Sequence, residues 1–251
     1  MKPDRAIIHS YGGGVQSAAI AVLVVRGKLM RPERIVMADT GREATLTWDY
    51  LRDHIQPWLA QDALKVEIAP HSLATVDLFA KNGDPRPLIP VFTSEGNKLP
   101  NYCSVEWKRR VVGRWLRQEG YGPEVPVTEW LGISKDEVER AKPSAVDWIE
   151  HSWPLLDLNM NRADCIALVR ASGLPEPPRS SCWMCPFRTD AEWLAMRGRN
   201  DGDWKQAVDF DTALASDLFL HRSAKPLSEV QFRHEKQKEL FDICEEGRCE
   251  F

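Results

Sequence analysis

The stretch Ala6-Ile7-Ile8-His9-Ser10-Tyr11-Gly12-Gly13-Gly14-Val15-Gln16-Ser17 contains an apolar run, three glycines and a serine, in that order. Small apolar residues continue to Leu23, so the pattern predicts a buried strand, a tight turn and a helix. The glycines have no Cβ to hold a ligand away from the backbone, and a helix start offers unpaired N–H groups and a positive dipole end. We therefore expect a phosphate-binding turn; the alternative is a strand-to-helix turn that needs glycine for steric reasons.

The turn differs from two well-known phosphate sites. A Walker loop ends in Gly-Lys-Ser/Thr, but no lysine stands between Gly14 and Ser17. A dinucleotide fingerprint has a third glycine one turn into the helix, where Ser17 and Ala18 stand. The turn instead resembles the PP-loop of the adenine-nucleotide alpha-hydrolase-like family, whose Ser-Gly-Gly-x-x-Ser signature holds the pyrophosphate of ATP. Gly12 stands where that family has its first serine, and Gln16 where many members have aspartate.

This resemblance implies that the chain binds ATP with Mg²⁺ and adenylates a substrate. It indicates a set of backbone and side-chain groups around the turn as the nucleotide site. These are Ser10, Tyr11, Gly12, Gly13, Gly14, Gln16 and Ser17.

Composition sets limits on the kind of protein. The 251 residues are 43% hydrophobic, which is enough for a full core, and the formal charge of −4 argues against a general nucleic-acid coat. No apolar run reaches the roughly 18 residues that span a membrane, and residues 1–5 lead directly into a strand rather than a signal-peptide core. The sequence therefore predicts a cytoplasmic protein that does not enter a membrane. It leaves the oligomeric state open, with a homodimer and a subunit of a complex among the options.

Strand and helix patterns alternate along the first half of the chain. Arg34–Asp39 and Lys65–Ala69 are predicted strands, and Ser17–Arg26 and Thr45–Ala60 are predicted helices. This alternation predicts an α/β fold with a doubly wound, mainly parallel, Rossmann-like sheet. The predicted domains are 1–188, which holds the nucleotide and the cysteines, and 189–251, a helical C-terminal extension. Weaker patterns predict a short helix over 75–80, a loop to Pro100 that covers the nucleotide, a helix over 105–118, a strand over 125–134 and an edge strand over 147–156.

Six cysteines in a chain of this kind indicate metal binding or catalysis before disulfides. Cys182 and Cys185 form a Cys-x-x-Cys pair within a proline-rich loop, and two thiolates at this spacing can bind one metal ion. The pair alone fits a redox couple, half of a zinc site or half of a cluster site. Further ligands must come from elsewhere, and the candidates are Cys103, Cys165, Cys244 and Cys249.

Other segments sharpen the resemblance. Asp39-Thr40-Gly41 and Cys103-Ser104-x-x-x-Lys108 are similar to segments of phosphoadenosine-phosphosulfate (PAPS) reductase-like proteins, as is Gly132-Ile133-Ser134 followed by Glu137 and Arg140. The Cys-x-x-Cys-Pro-Phe ending is similar to DNA-phosphorothioation sulfurtransferases. The resemblance adds Asp39, Thr40, Gly41, Gly132 and Ile133 to the nucleotide site.

The resemblance also implies roles for individual side chains. Cys103, Cys182 and Cys185, with Cys165 as the fourth ligand, would hold a 4Fe-4S cluster; a structural zinc on the same ligands is the alternative. Lys108 and Arg140 would neutralise phosphates, or else be surface charges. Asp39 would hold Mg²⁺ or the ribose, or cap the turn that follows it.

The implied activity is an ATP pyrophosphatase-type sulfur transfer to a nucleic acid or nucleotide, with sulfur supplied by a donor such as a cysteine desulfurase. Several arginines lie at helical spacing on the predicted 105–118 helix. This row favours a solvated charged face, and a nucleic-acid-binding face is the less favoured interpretation. Two alternatives stay open. One is a PAPS reductase-like enzyme, although the ending Arg248-Cys249-Glu250-Phe251 lacks the Glu-Cys-Gly-x-His of that activity. The other is a non-catalytic, zinc-containing subunit of a modification or defence complex.

Overall fold

Five parallel strands form the central sheet of the computed structural model, which describes residues 5–79 and 86–233. Their order across the sheet is β3-β2-β1-β5-β6, and Ser10 of β1 pairs with Val36 on one side and Leu131 on the other. The prediction of an α/β fold with a parallel sheet is confirmed. The strands are β1 (Ala6–Ser10), β2 (Arg34–Ala38), β3 (Val66–Ala69), β5 (Val127–Leu131) and β6 (Ile149–Ser152).

The strand order reverses beside β1. From β1 the chain moves outward through β2 and β3, and then returns to build β5 and β6 on the other side. In open parallel sheets, such a reversal leaves a crevice at the carboxyl ends of the two central strands, where ligands bind. The glycine turn at residues 12–14 follows β1 at this edge.

Helices cover both faces of the sheet. On one face α1 (Val15–Val25) is almost wholly buried and packs against α6 (Arg162–Arg170) and α3 (Gln56–Ala60). On the other face α4 (Arg110–Gln118) packs Val111, Trp115 and Leu116 against the sheet. The rest of these helical segments are α2 (Thr45–Tyr50), a π-helical segment Leu51–Ile55 before Pro57, a second one at Ser104–Arg109, a 3₁₀ segment Lys135–Arg140, and α5 (Pro154–Asp157).

The chain divides into two compact units. Among the described residues, the first unit contains 5–77 and 103–181, and the second contains 78–79, 86–102 and 182–233. This division falls before Cys182 rather than after residue 188, and it assigns residues 86–102 to the second unit. That unit contains β4 (Phe92–Thr93) paired antiparallel with β7 (Leu218–Phe219), a 3₁₀ turn Leu227–Glu229, and the helices α7 (Asp190–Gly198) and α8 (Asp203–Ala213).

Two local predictions are wrong. Residues 75–79 form no helix; a 3₁₀ turn at His71–Leu73 precedes them, and the indole N–H of Trp107 donates to the carbonyl oxygens of Val76 and Asp77. The indole of Trp107 therefore occupies two carbonyl oxygens that would accept backbone hydrogen bonds in a helix. The predicted edge strand over 147–156 is shorter, since Pro154 begins α5.

No helix within the described parts of the chain is long and apolar enough to cross a lipid bilayer. The longest helices there, α1 and α8, contain 11 residues each.

Candidate functional site

The glycine turn connects β1 to α1 at the point where the strand order reverses. The Tyr11 amide donates to the Val36 carbonyl at 2.8 Å, so the chain leaves the sheet only after Tyr11. Gly13 has a φ of +79°, a conformation that favours glycine, and Gly14 is the extended N-cap of α1. The tyrosine ring is buried, so it is not exposed to a ligand, and burial raises the pKa of its phenol.

Space around the turn differs from one glycine to the next. A Cβ placed on Gly12 would meet no heavy atom within 4 Å. A Cβ on Gly13 would lie 2.7 Å from the Thr47 methyl group and 3.1 Å from the Ser180 hydroxyl. The Ser180 hydroxyl also donates to the Gly12 carbonyl oxygen. Gly12 therefore has an open side, while Thr47 and Ser180 close the other side of the turn.

The first turn of α1 lies close to the backbone of the segment after β5. The Ser17 hydroxyl donates to the Gly14 carbonyl at 2.8 Å, and α1 has no side-chain cap. A Cβ on Gly132, just after β5, would lie 2.9 Å from the Ser17 nitrogen. The first N–H groups of a helix have no partner within the helix, and they carry its positive dipole end. An anion in front of Gly12–Gly14 would meet these groups.

Gln16 connects this helix start to the segment after β5. Its amide nitrogen donates to Glu137 at 3.2 Å and lies 3.4 Å from the Ser134 hydroxyl, and its carbonyl accepts from Arg162 at 3.3 Å. Glu137 in turn pairs with Arg140 at 2.7 Å, and the Arg140 side chain is 62% exposed. The structure thus brings the predicted residues Gln16 and Arg140 into one network, with Ile133 buried behind it.

The Asp39-Thr40-Gly41 segment follows β2 at the same edge of the sheet. One Asp39 carboxylate oxygen accepts the Gly41 N–H at 2.6 Å, which stabilises a turn whose glycine has a φ of +68°. The buried Thr40 hydroxyl accepts the Arg42 N–H at 3.2 Å. Asp39 therefore caps its own turn, and its second oxygen is the one to consider for Mg²⁺ or a ribose.

Lys108 makes an ion pair with a carboxylate that the sequence patterns did not single out. Its ammonium lies 2.7 Å from Glu43 Oε1, and the Glu43 side chain is completely buried whereas the Lys108 side chain is 37% exposed. Glu43 lies two residues after the Asp-Thr-Gly motif, between the end of β2 and the start of α2. Its closeness to the motif is a sequence signal for this residue.

Ser10 belongs to a second buried network. Its hydroxyl donates to Glu129 of β5, and Glu129 faces His151 of β6, with 3.4 Å between the imidazole and the carboxylate. The contact with Glu129 raises the pKa of His151. The Ser10 hydroxyl is thus engaged with Glu129 inside the sheet, and Ser10 itself lies in the central strand between β2 and β5.

His9 is fully buried between β1 and its neighbours. Its ring nitrogens lie 3.2 Å from the Ser17 carbonyl oxygen and 3.4 Å from that of Trp130. Burial lowers the pKa of His9 to about 4, so the imidazole is neutral and structural. It helps hold the first turn of α1 against the sheet.

The four described cysteines have different surroundings. Cys103 begins the π-helical segment of the first unit, whereas Cys182 and Cys185 belong to the second unit. Within residues 5–79 and 86–233, no group of three or more His, Cys, Asp and Glu side chains has the geometry of a metal site. Cys244 and Cys249 lie outside the described residues.

A tight turn connects Cys182 to Cys185, and both side chains are partly exposed. The Cys185 N–H donates to the Cys182 carbonyl at 3.1 Å, and the Arg188 guanidinium donates to that carbonyl at 3.0 Å.

Cys165 is different, since it is fully buried in α6 among core residues such as Leu155 and Val169. Burial raises the pKa of its thiol to about 11, which disfavours the thiolate that a metal needs.

The arginine row on α4 has structural partners. Arg110 pairs with Glu106 at 2.6 Å, and Arg114 donates to the Leu73 carbonyl at 2.9 Å. Arg117 lies over the ring of Trp148, 5.2 Å from its centroid. Each arginine of the row thus has a partner within the protein.

Comparisons with known proteins concern the fold. No protein-family model and no curated protein sequence matches the chain. Among solved structures, the chain is similar to a phosphoadenylyl-sulfate (PAPS) reductase from Candida auris crystallised with phosphate. The identity is 13%, the TM-score is 0.47, and the match covers 72% of this chain and 83% of the other. It is also similar to the U34-tRNA thiolase NcsA from Methanococcus maripaludis, which holds a [4Fe-4S] cluster. In that case the identity is 12%, the TM-score is 0.47, and the match covers 91% of this chain and 73% of the other. The resemblance of this chain to PP-loop proteins therefore rests on its sequence motifs.

Proposed function

We propose that the chain is an ATP-dependent enzyme that adenylates a substrate and promotes sulfur transfer to a nucleic acid or nucleotide. The proposal rests mainly on one observation, the glycine turn at the strand-order reversal, with open space beside Gly12 and an uncapped helix start behind it. A triphosphate fits such a turn because its oxygens can approach the backbone N–H groups.

The chemistry follows from this placement. A nucleophilic oxygen of the substrate attacks the α-phosphorus of ATP, the bond to the bridging oxygen breaks, and pyrophosphate leaves with the electron pair. The first turn of α1 would bind the leaving pyrophosphate, and the Lys108 ammonium would offset charge that develops on it. Arg140 is a further cation for this task, with Asp39 for Mg²⁺.

Sulfur chemistry is the second part of the proposal. Cys103, Cys182 and Cys185 are the thiols we assign to a metal centre, and a cluster held by them would bind the sulfur to be transferred. Support comes from the sequence, in which Cys182 and Cys185 have the Cys-x-x-Cys spacing of a metal-binding pair. A cysteine desulfurase-type donor would supply the sulfur as a persulfide, and a thiol reductant would reduce it to sulfide. The sulfide would then displace AMP from the adenylated substrate.

Pyrophosphate release tests the proposal. Anaerobically purified protein is incubated with Mg²⁺, ATP and a pool of tRNA and DNA, and pyrophosphate is measured with a coupled assay. We expect release that depends on nucleic acid and is strongly reduced in Gly12→Ala at ATP concentrations below saturation. No release with any acceptor, together with thioredoxin-dependent sulfite formation from PAPS, would instead establish the reductase alternative.

A further inference from the structure

Glu43 is a completely buried carboxylate that directly contacts a cation we place in the nucleotide site. Its side chain has no exposed surface, and its Oε1 lies 2.7 Å from the Lys108 ammonium. Within the described residues, neither of its oxygens has a hydrogen-bond partner, so the contact with Lys108 is an ion pair. Burying a carboxylate costs free energy unless it is well paired, so the position of this ion pair needs a functional explanation.

A short series of contacts leads from the glycine turn to this pair. Ser180 donates to the Gly12 carbonyl, and the carbonyl of the next residue, Ser181, accepts the Ala44 N–H at 3.2 Å. Ala44 directly follows Glu43, which contacts Lys108. The lysine is therefore anchored to the same backbone segment that closes one side of the turn.

The neighbouring cation, Arg42, has partners other than Glu43. Arg42 pairs with Asp77 at 2.7 Å and lies over the ring of Trp107, 4.9 Å from its centroid. Glu43 therefore has Lys108 as its cation, and the lysine side chain keeps 37% of its surface exposed. A lysine ammonium has three N–H donors, so it can stay paired with Glu43 and also contact an anionic ligand.

We infer that Glu43 is a positioning residue, which holds the Lys108 ammonium in the orientation that binds the phosphates of the nucleotide. This inference deepens the proposed function and rests on it. A flexible lysine loses side-chain entropy when it binds a phosphate, and a buried partner that fixes the side chain in advance reduces this loss.

The direction in which Glu43→Gln changes the affinity for ATP distinguishes a positioning role of Glu43 from a simple effect of its charge. Glu43→Gln removes a negative charge, so electrostatics alone would tighten the binding of an anion such as ATP. If Glu43 positions Lys108, the same change weakens binding, by about tenfold. The probe is a non-hydrolysable ATP analogue titrated by calorimetry, with adenosine as the phosphate-free control, whose affinity should not change.

Two further variants complete the design. Glu43→Asp shortens the side chain but keeps the charge, and we expect partial recovery of affinity. Lys108→Met should weaken binding as much as Glu43→Gln, and the double variant should be no weaker than Lys108→Met alone, because both act through one group. Additive losses in the double variant would contradict the inference.

A labelling measurement covers the case in which Glu43→Gln does not fold. Amine acylation of Lys108 in the wild-type protein, followed by mass spectrometry, should slow when the analogue is bound. Unchanged labelling, or equal or tighter binding by Glu43→Gln, overturns the positioning role while wild-type binding still supports the nucleotide site. If wild-type protein binds no analogue, the proposed function and this inference both fail.

Discussion

Gly132 packs so closely against Ser17 that an added Cβ would lie 2.9 Å from the Ser17 backbone nitrogen. The same atom would be 3.2 Å from the Gln16 carbonyl carbon. Because both are backbone atoms of the first turn of α1, no side chain can move aside. The contact fixes the distance between the end of β5 and the start of α1.

Gly132→Ala should therefore destabilise the protein and displace the helix start. We expect a loss of about 1–3 kcal/mol in the free energy of unfolding, measured by denaturant titration. Weaker binding of an ATP analogue should accompany it.

The matched control is Gly113→Ala in the middle of α4, where a Cβ would meet nothing within 4 Å. Because alanine favours a helix over glycine, this variant should be more stable by about 0.5–1 kcal/mol. If both alanine variants were equally stable, the close packing at Gly132 would not exist.

Much of the fold could be predicted from local patterns. The apolar runs at Ala6–Ser10 and Arg34–Ala38 are soon followed by Gly12 and Asp39. Sequence alone therefore predicts that both are buried strands and that both end at the same edge of the sheet. Residues 86–102 could not be assigned, since β4 is two residues long and pairs with a strand more than 120 positions later in the chain. Short strands of this kind depend on a distant partner rather than on their own periodicity.

The candidate site shows the same limit. Gly12–Gly14 and Asp39 were recognisable because glycine and a strand-end carboxylate carry local signals. Thr47, Ser180 and Glu43 were not, since their importance depends on what the folded chain places beside them.

His9 predicts a dependence of stability on pH. Its pKa is about 4 in the folded protein because it is buried, and about 6.5 when the chain is unfolded. The unfolded state therefore takes up a proton first as the pH falls from 6.5 to 4, and folding loses up to about 3 kcal/mol over that range. Above pH 6.5 the effect is absent.

Urea unfolding at several pH values checks this effect. The free energy of unfolding should fall less steeply from pH 6.5 to pH 4 in His9→Gln than in wild type. The loss of packing in His9→Gln is measured separately, at pH 8. Parallel curves for the two proteins would show that His9 does not titrate as its burial requires.

Cys165 provides a test of the metal ligands. Because it is fully buried and the pKa of its thiol is raised to about 11, Cys165→Ala should keep its metal content and lose about 1 kcal/mol of stability. Cys182→Ala and Cys185→Ala should lose the metal.

Iron, sulfide and zinc analysis and the visible spectrum of anaerobically purified variants provide the measurement. A brown wild-type protein indicates the cluster, and a colourless one with stoichiometric zinc indicates the structural alternative. Folded Cys165→Ala protein without metal would show that Cys165 is the fourth ligand predicted from the sequence.

The central claim is that the turn at Gly12–Gly14 binds the phosphates of ATP. Gly12→Ala tests it most directly, because its Cβ would contact nothing within 4 Å in the folded chain but would project into the space beside the turn. Calorimetric titration of wild type and Gly12→Ala with a non-hydrolysable ATP analogue should give equal thermal stability and an affinity weaker by about tenfold or more in the variant. Equal affinities in two equally stable proteins would contradict the account.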